Sequence, residues 1–390
     1  MKLIKNARII TMEDKEYKNG YLIIDEGKIH DIGDMPDLNE EESKFSFIYD
    51  LEGDMLVPGF VDAHCHIGLF EEGVGDIGMD GNEDTSPITP QLRAIDAINP
   101  FDSAFSDARR AGVTTVVTGP GSANVIGGQF AALKTFGRCV DEMVIKAPVA
   151  MKAALGENPT SVYSARKEAP VTRMATAALL RETLMGAAEY NEKLKEYKKD
   201  SENNEKPELD FKSEALLPVL NREIPMKIHA HRADDICTAI RIAEEFNILI
   251  TLEHCTEGHL IADIIKKKNI PVMLGPTLTS KSKLELKNLS YDIYSCFEKE
   301  GIDFAIITDH PEITIDNLYL CGALAVKNGL SKSGALAAIT LNAAKNTYID
   351  EYVGSIKKGK DADLVVISGE LFSLDSKIKK VFISGEEIQI

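Results

Sequence analysis

The sequence contains no tryptophan, few histidines and no closely spaced pair of cysteines. Of its 390 residues, 8 are His, 6 are Cys and none is Trp. The scattered cysteines lack any Cys-X-X-Cys spacing, which predicts reduced thiols rather than a disulfide framework. No apolar run approaches the roughly 20 residues of a membrane span, and the N-terminus turns polar too early for a signal peptide. We therefore expect a cytoplasmic protein with no membrane partner.

Positive charge is also scarce. The sequence has 44 Lys and Arg against 62 Asp and Glu, a formal net charge of −18. A nucleic-acid-binding protein needs a basic surface, and no basic cluster here outweighs the acidic background. The hydrophobic share of 44% is that of a globular protein and excludes global disorder. The expected partner is a small molecule, and a homo-oligomer is the common default for such a chain.

Short apolar runs divide the chain into two kinds of region. Both ends carry strand-like runs separated by turn signals such as Asn19-Gly20. In the middle, runs rich in Val, Ile and Thr alternate with helix-length segments. These runs are 57–61, 113–118, 131–136, 149–155, 226–229, 249–253, 271–274 and 304–308. The alternation predicts an α/β fold: a TIM-like (β/α)8 barrel over 57–349, and a small β-sandwich formed by 1–56 plus 350–390. An open doubly wound sheet is the alternative.

Histidines gather at the ends of these runs. His64 and His66 are two residues apart, so their side chains point to the same side of a strand. His229 and His231 repeat this spacing, and His254 ends the following run. A single His-X-His pair would be explained by ordinary buried or exposed histidines, whereas several at strand ends call for a shared explanation.

Asp309 ends the last of the apolar runs. In a parallel barrel the carboxyl ends of all strands open on one face, where active sites lie. The Asp309 carboxylate should therefore meet the histidines on that face. Imidazole nitrogen and carboxylate oxygen are ligands suited to Zn²⁺ and similar metals. This convergence predicts a metal-dependent site.

Two segments resemble motifs of the amidohydrolase superfamily. They are PGFVDAHCH at 58–66 and VGSIKKGKDADLVV at 353–366. Segment 84–100 is most similar to bacterial imidazolonepropionase-related amidohydrolases. The resemblance implies a barrel enzyme that hydrolyses an amide-type C–N bond. Its substrate would be a cyclic amide, an N-acyl amino acid or a small dipeptide-like molecule.

The resemblance also implies the metal ligands. They are His64, His66, Lys152, His229, His254 and Asp309. In several binuclear members, a lysine placed like Lys152 is carboxylated by CO₂ and bridges two metals; an ordinary lysine is the alternative. His229 is preferred to His231 because of its spacing to the apolar Ile236. The implied cofactor is one or two divalent cations, zinc first, with manganese or iron as alternatives. Asp309 would also act as the general base toward water.

One departure from the family pattern bears on the substrate. Superfamily deaminases and imidazolonepropionases have a Glu three residues after the His229 position, where this sequence has Arg232. Arginine stays protonated and binds carboxylates or phosphates. This favours hydrolysis of an anionic amide. A mononuclear deaminase or imidazolonepropionase-like reaction stays the alternative, and a non-catalytic metal-binding barrel is the third hypothesis. Further predicted substrate contacts are His231, Gln129 of the Gly-rich segment 119–129, Arg166 and His310.

Overall fold

The computed structural model describes all 390 residues, in sixteen strands and eleven α-helices. The strands are β1 (Lys2–Ile10), β2 (Glu16–Asp25), β3 (Lys28–Asp34), β4 (Phe47–Asp50), β5 (Met55–Pro58), β6 (Phe60–Cys65), β7 (Val113–Thr118), β8 (Ile126–Lys134), β9 (Val144–Ala154), β10 (Met226–Ala230), β11 (Ile250–His254), β12 (Val272–Leu274), β13 (Phe304–Ile306), β14 (Leu364–Ser368), β15 (Lys377–Ile383) and β16 (Glu386–Ile388). The helices are α1 (Ser103–Arg110), α2 (Val140–Met143), α3 (Glu157–Ala165), α4 (Arg173–Lys199), α5 (Phe211–Leu220), α6 (Ala233–Phe246), α7 (Ala262–Lys268), α8 (Asp292–Glu300), α9 (Leu318–Lys327), α10 (Lys332–Ala338) and α11 (Leu341–Asn346).

The two ends of the chain form one sheet. Its strand order is β16-β15-β14-β5-β1-β2-β3, and β4 also pairs with β1. Apolar residues of its strands, including Ile4, Leu22, Leu56 and Phe382, pack in a core of their own. Strands from both ends are hydrogen-bonded neighbours, since β5 pairs with β14. The prediction that both termini form one separate β-structure is confirmed, and in place of the expected small β-sandwich the strands form a single sheet. The limits 56/57 and 349/350 stay a prediction.

The middle of the chain forms the second sheet, which curls into a nearly closed barrel. Its order is β13-β12-β11-β10-β9-β8-β7-β6. Strands β6 and β7 are buried throughout, as expected where helices cover the outside. The two ends of this sheet meet through backbone hydrogen bonds from Asp309 N to His64 O at 3.1 Å and from His66 N to His310 O at 2.9 Å. The predicted α/β barrel is confirmed.

Two of the predicted strands differ from the observed ones. The run 131–136, expected as a parallel strand, belongs to β8, which is antiparallel to both neighbours and already begins at Ile126. The run 57–61 is divided between the two sheets at Gly59. A Cβ at Gly59 would lie 2.1 Å from Thr114 Oγ1, so only glycine lets the chain pass so close to β7. Neither boundary is visible in the apolar pattern.

Helix α6 shows how the outer layer holds the barrel wall. Ile236, Ala239, Ile240 and Ala243 are buried and recur at helical spacing, so one face packs on the strands. The helix ends at Asn247, which adopts a left-handed conformation. It therefore anchors β10, which carries His229 and ends directly before His231. None of the helices is long and apolar enough to cross a membrane.

Candidate active site

The His64 and His66 side chains project together from the end of β6. His64 Nδ1 lies 2.7 Å from Glu253 Oε2, and His66 Nδ1 lies 2.7 Å from the Gly119 carbonyl oxygen. Carboxylate and carbonyl oxygens only accept, so each Nδ1 donates and each Nε2 keeps a lone pair. These Nε2 atoms face Asp309 Oδ1 at 3.5 and 3.2 Å. Lone pairs at such distances require a cation or a proton between them.

A second group of histidines lies at the ends of β10 and β11. Their ligand atoms, in His229, His231 and His254, are all within 4.8 Å of one another. His254 Nδ1 donates to the Gly275 carbonyl oxygen at 2.8 Å. The Nε2 atoms of His229 and His254 are buried without any hydrogen-bond partner. Because buried polar atoms are normally paired, these nitrogens fit a divalent cation.

The backbone is strained where two of these side chains leave their strands. His254 has φ of 71° and Asp309 has φ of 54°, both in the left-handed region. Residues other than glycine rarely adopt it, at a cost of about 1–3 kcal/mol each. Such strain is typical of positions where side-chain placement matters for function. Here it turns both side chains toward the same space.

Lys152 lies inside the barrel on β9. Its side chain is fully buried, and its Nζ is 3.1 Å from His64 Nε2. Burial lowers the pKa of the Lys152 amine to about 8, against the opposing effect of Asp309 and Glu253. The structure thus brings Lys152 to the predicted ligands, with an amine that is easily made neutral.

Asp309 faces a cavity of about 370 Å³, whose lining also includes His66, His229, His231 and Lys283. Burial opposes ionisation of Asp309, but the neighbouring His254 and His66 imidazoles outweigh it and lower the carboxyl pKa to about 2. The carboxylate is therefore ionised and can accept a proton. A small substrate in this cavity would meet both groups of histidines.

The predicted substrate contacts are only partly brought to this cavity. His231 lines it. The Arg232 guanidinium instead pairs with Asp234 at 2.9 Å, and that of Arg166 pairs with Asp84 at 2.5 Å. Gln129 and His310 are not among the lining residues either. Arg232 and Arg166 are paired locally and His310 is buried, so contact of these four side chains with a substrate stays a prediction.

Three further residues, which the sequence patterns did not single out, belong to the site. Lys283 lines the cavity, and Glu285 lies 3.6 Å from the Nε2 atoms of His229 and His231. Both lie in the loop between β12 and α8, whose sequence has no helical or strand periodicity that would single them out. Glu253 did leave a signal, because it is a charge inside an apolar run. Its bond to His64 explains why that charge is there.

Comparisons with known proteins show which proteins this chain resembles. Residues 55–388 match the model of the "Amidohydrolase family". The crystal structure of an amidohydrolase from Thermotoga maritima MSB8 is similar, with 42% identity, a TM-score of 0.95 and 100% of both chains covered. Amidohydrolase tasK of Hapsidospora irregularis is 27% identical, over 87% of this chain and 37% of its own. An adenine deaminase of Listeria monocytogenes is 26% identical, over 99% of this chain and 57% of its own. The chain spans about two fifths to three fifths of the length of these two curated relatives.

Proposed function

The chain belongs to the amidohydrolase family. From this premise we propose that it is a hydrolase of C–N bonds and cleaves the amide-type bond of a small anionic substrate. The observation that carries the proposal is the meeting of both histidine groups, Lys152 and Asp309 beside one cavity. The substrate class is a cyclic amide, an N-acyl amino acid or a dipeptide-like molecule.

The ligand atoms of this chain suit one or two divalent cations. His64, His66 and Asp309 would hold the first, and His229 and His254 the second. Lys152 would serve both once its amine has reacted with CO₂, since a carbamate presents two anionic oxygens in place of an ammonium that cations repel. Nitrogen and oxygen donors suit zinc first, and manganese or iron as well. When bound, such a cation lowers the pKa of a water molecule and polarises the substrate carbonyl.

Asp309 is the proposed general base. Its ionised carboxylate lines the cavity and can take a proton from the attacking water. The same carboxyl group can then deliver this proton to the leaving nitrogen, which could not depart readily as an anion. The Asp309 backbone nitrogen donates to the His64 carbonyl oxygen at 3.1 Å, which holds this residue in place at the end of the barrel sheet.

Lys283 is the proposed contact for an anionic group of the substrate. It is the one cationic Lys or Arg side chain in the cavity lining, and its Nζ donates to Asn158 Oδ1 at 2.7 Å. Arg232, the cation expected from the sequence, is neutralised by Asp234. An anionic substrate therefore remains the proposal, with a different residue as its partner.

Deamination is the second candidate reaction. Its support is the similarity to adenine deaminases, which extends over 99% of this chain. In that reaction water replaces an exocyclic amine and ammonia is released, while Asp309 would again handle the proton. Arg232 at the position of the family's Glu is the feature that counts against it.

One experiment separates the two candidates. Protein loaded with zinc, manganese or iron is incubated with two panels, one of N-acyl amino acids, dipeptides and cyclic amides, the other of aminopurines. We expect new carboxylate and amine products from the first panel, detected by mass spectrometry, and no ammonia from the second. Ammonia release from aminopurines without amide cleavage would assign the second function instead. Equal turnover by metal-depleted protein would contradict the metal dependence of either.

A further inference from the structure

We propose that Glu285 is a metal ligand, and that with His231 it completes a second cation position together with His229 and His254. The inference rests on the proposed metal-dependent function and adds two residues to it. The resulting position has three imidazoles and one carboxylate from this chain, whether or not Lys152 carries CO₂.

The carboxylate of Glu285 is placed like a ligand and not like a structural acid. Its side chain is only 1% exposed, and Oε1 lies 3.6 Å from both His229 Nε2 and His231 Nε2. No hydrogen-bond donor reaches this buried oxygen. Leaving a buried carboxylate oxygen without a donor is costly, so a cation at this place would explain its position.

The neighbouring imidazoles are already oriented by other groups. Their Nδ1 atoms are engaged by Ser122 Oγ, Thr256 Oγ1 and the Gly275 carbonyl oxygen for His229, His231 and His254, respectively. Such outer contacts fix ring orientation in metal sites and leave Nε2 for the metal. The centroids of the three rings lie 4.4 to 4.7 Å apart. The three rings therefore lie against one another, with one ligand nitrogen of each within 4.8 Å of the others.

The size of the group agrees with four-coordinate zinc. Ligands at about 2.0–2.1 Å from a tetrahedral zinc are about 3.4 Å from one another. The two oxygen-to-nitrogen distances of 3.6 Å are close to that value. The ligand atoms of the three histidines all lie within 4.8 Å, so binding around one ion would shorten these distances by up to about 1.4 Å.

Lys283 accounts only in part for the Glu285 carboxylate, because the two form an ion pair without a hydrogen bond. Its Nζ stays 3.6 Å from Oε1, beyond hydrogen-bond distance, and donates to Asn158 Oδ1 at 2.7 Å instead. The other oxygen, Oε2, accepts from the Glu157 backbone nitrogen at 3.0 Å, which turns Oε1 toward the histidines. A Cβ at Gly156 would lie 2.8 Å from Oε2, so glycine makes room for the carboxylate.

The two proposed cation positions have the same balance of charge. Asp309 accompanies His64 and His66, and Glu285 accompanies the other histidine group. Each divalent cation would thus have one carboxylate of its own. Glu285 comes from a 3₁₀ turn between β12 and α8 and not from a strand end, so the strand-end motifs do not point to it.

The test is metal binding by the full chain, independent of turnover. Metal-free wild type, Glu285→Gln and His231→Asn are titrated with zinc against a chromophoric chelator, and bound metal is counted by mass spectrometry. The matched control is Glu312→Gln, which changes another carboxylate of the cavity lining. Thermal melting of the metal-free proteins checks folding, and cobalt absorption reports the coordination number.

We expect Glu285→Gln and His231→Asn to weaken one site at least about tenfold and to change the cobalt spectrum, with Glu312→Gln like wild type. His231→Asn keeps the test valid if Glu285→Gln fails to fold. Unchanged zinc affinity and cobalt spectrum in a folded variant would overturn the inference while leaving the proposed function intact. A wild-type chain that binds no zinc, manganese or iron would overturn both.

Discussion

The imidazole of His64 and the carboxylate of Glu253 form a fully buried hydrogen bond of 2.7 Å across two strands of the barrel. The same carboxylate oxygen accepts from Lys227 Nζ at 2.8 Å. One acidic side chain therefore orients a predicted metal ligand and neutralises a buried lysine. Site geometry and barrel stability depend on it together.

Glu253→Gln should lower both the stability of the barrel and the metal affinity of the site. The neutral amide no longer balances Lys227, and leaving a buried charge without its partner costs about 3–5 kcal/mol in the free energy of unfolding. A poorly oriented His64 should also lower zinc affinity about 10–100-fold. Chemical denaturation of the metal-free protein and a zinc titration measure the two effects. Thr251→Val is the control, because it removes only the neutral hydroxyl that donates to Glu253 at 2.5 Å; an equal loss in both variants would contradict the charge argument.

Asp309→Asn should abolish most turnover of the folded protein, even at metal concentrations high enough to refill the cation position that this change weakens. An amide has no basic oxygen for the proton of the attacking water, and loss of a general base typically costs about 10²–10⁴-fold in kcat. Steady-state kinetics and metal analysis of the same preparation give the comparison. Wild-type kcat in this variant would remove Asp309 from the proposed role.

Lys152 should carry CO₂ when metal is bound. Only the neutral amine attacks CO₂, and burial lowers the amine pKa to about 8. As the pH falls below about 8 the ammonium form accumulates, so the carboxylated fraction should decrease toward acid and increase toward alkaline pH. A ¹³C NMR signal from labelled bicarbonate tests this. Lys152→Arg keeps the charge but cannot be carboxylated; a signal that persists in this variant would contradict the assignment.

Lys283→Ala should raise KM for anionic substrates and leave kcat nearly unchanged. A hydrogen bond to a charged group contributes about 1.5–3 kcal/mol, which corresponds to a loss of about tenfold or more. Arg232→Ala should have little effect, because Arg232 already pairs with Asp234. Lys281→Ala, in the same loop but donating to the Lys287 carbonyl oxygen, is the control for surface charge. The reverse result, with Arg232→Ala as the damaging change, would restore the assignment expected from the sequence.

Much of the site was predictable because strand ends in a barrel share one face. The spacing of His64 and His66, the position of His254 after an apolar run and Asp309 at the end of another all rest on local sequence. The structure does bring these residues together. Their roles as ligands stay a prediction, since convergence alone does not identify what they bind.

The other features of the site depend on the paths of loops and on contacts between residues far apart in the sequence. Arg232 is a strong candidate by residue type, yet an acid only two positions away in the sequence neutralises it. Lys283 and Glu285 belong to a loop whose sequence has no periodicity, and only the path of this loop brings Lys283 to the cavity and Glu285 to the histidines. The reversed direction of β8 is equally invisible, because apolar alternation is the same for parallel and antiparallel strands.

The sequence by itself determined the class of this protein: an α/β barrel with a terminal sheet and histidines at strand ends, because period and spacing are local properties of the chain. Only the tertiary structure decided which side chains meet. Glu253 reaches His64 from 189 residues away along the chain, and Glu285 reaches the other histidine group from a separate loop. Such contacts are set by packing of the whole barrel, and no short segment encodes them.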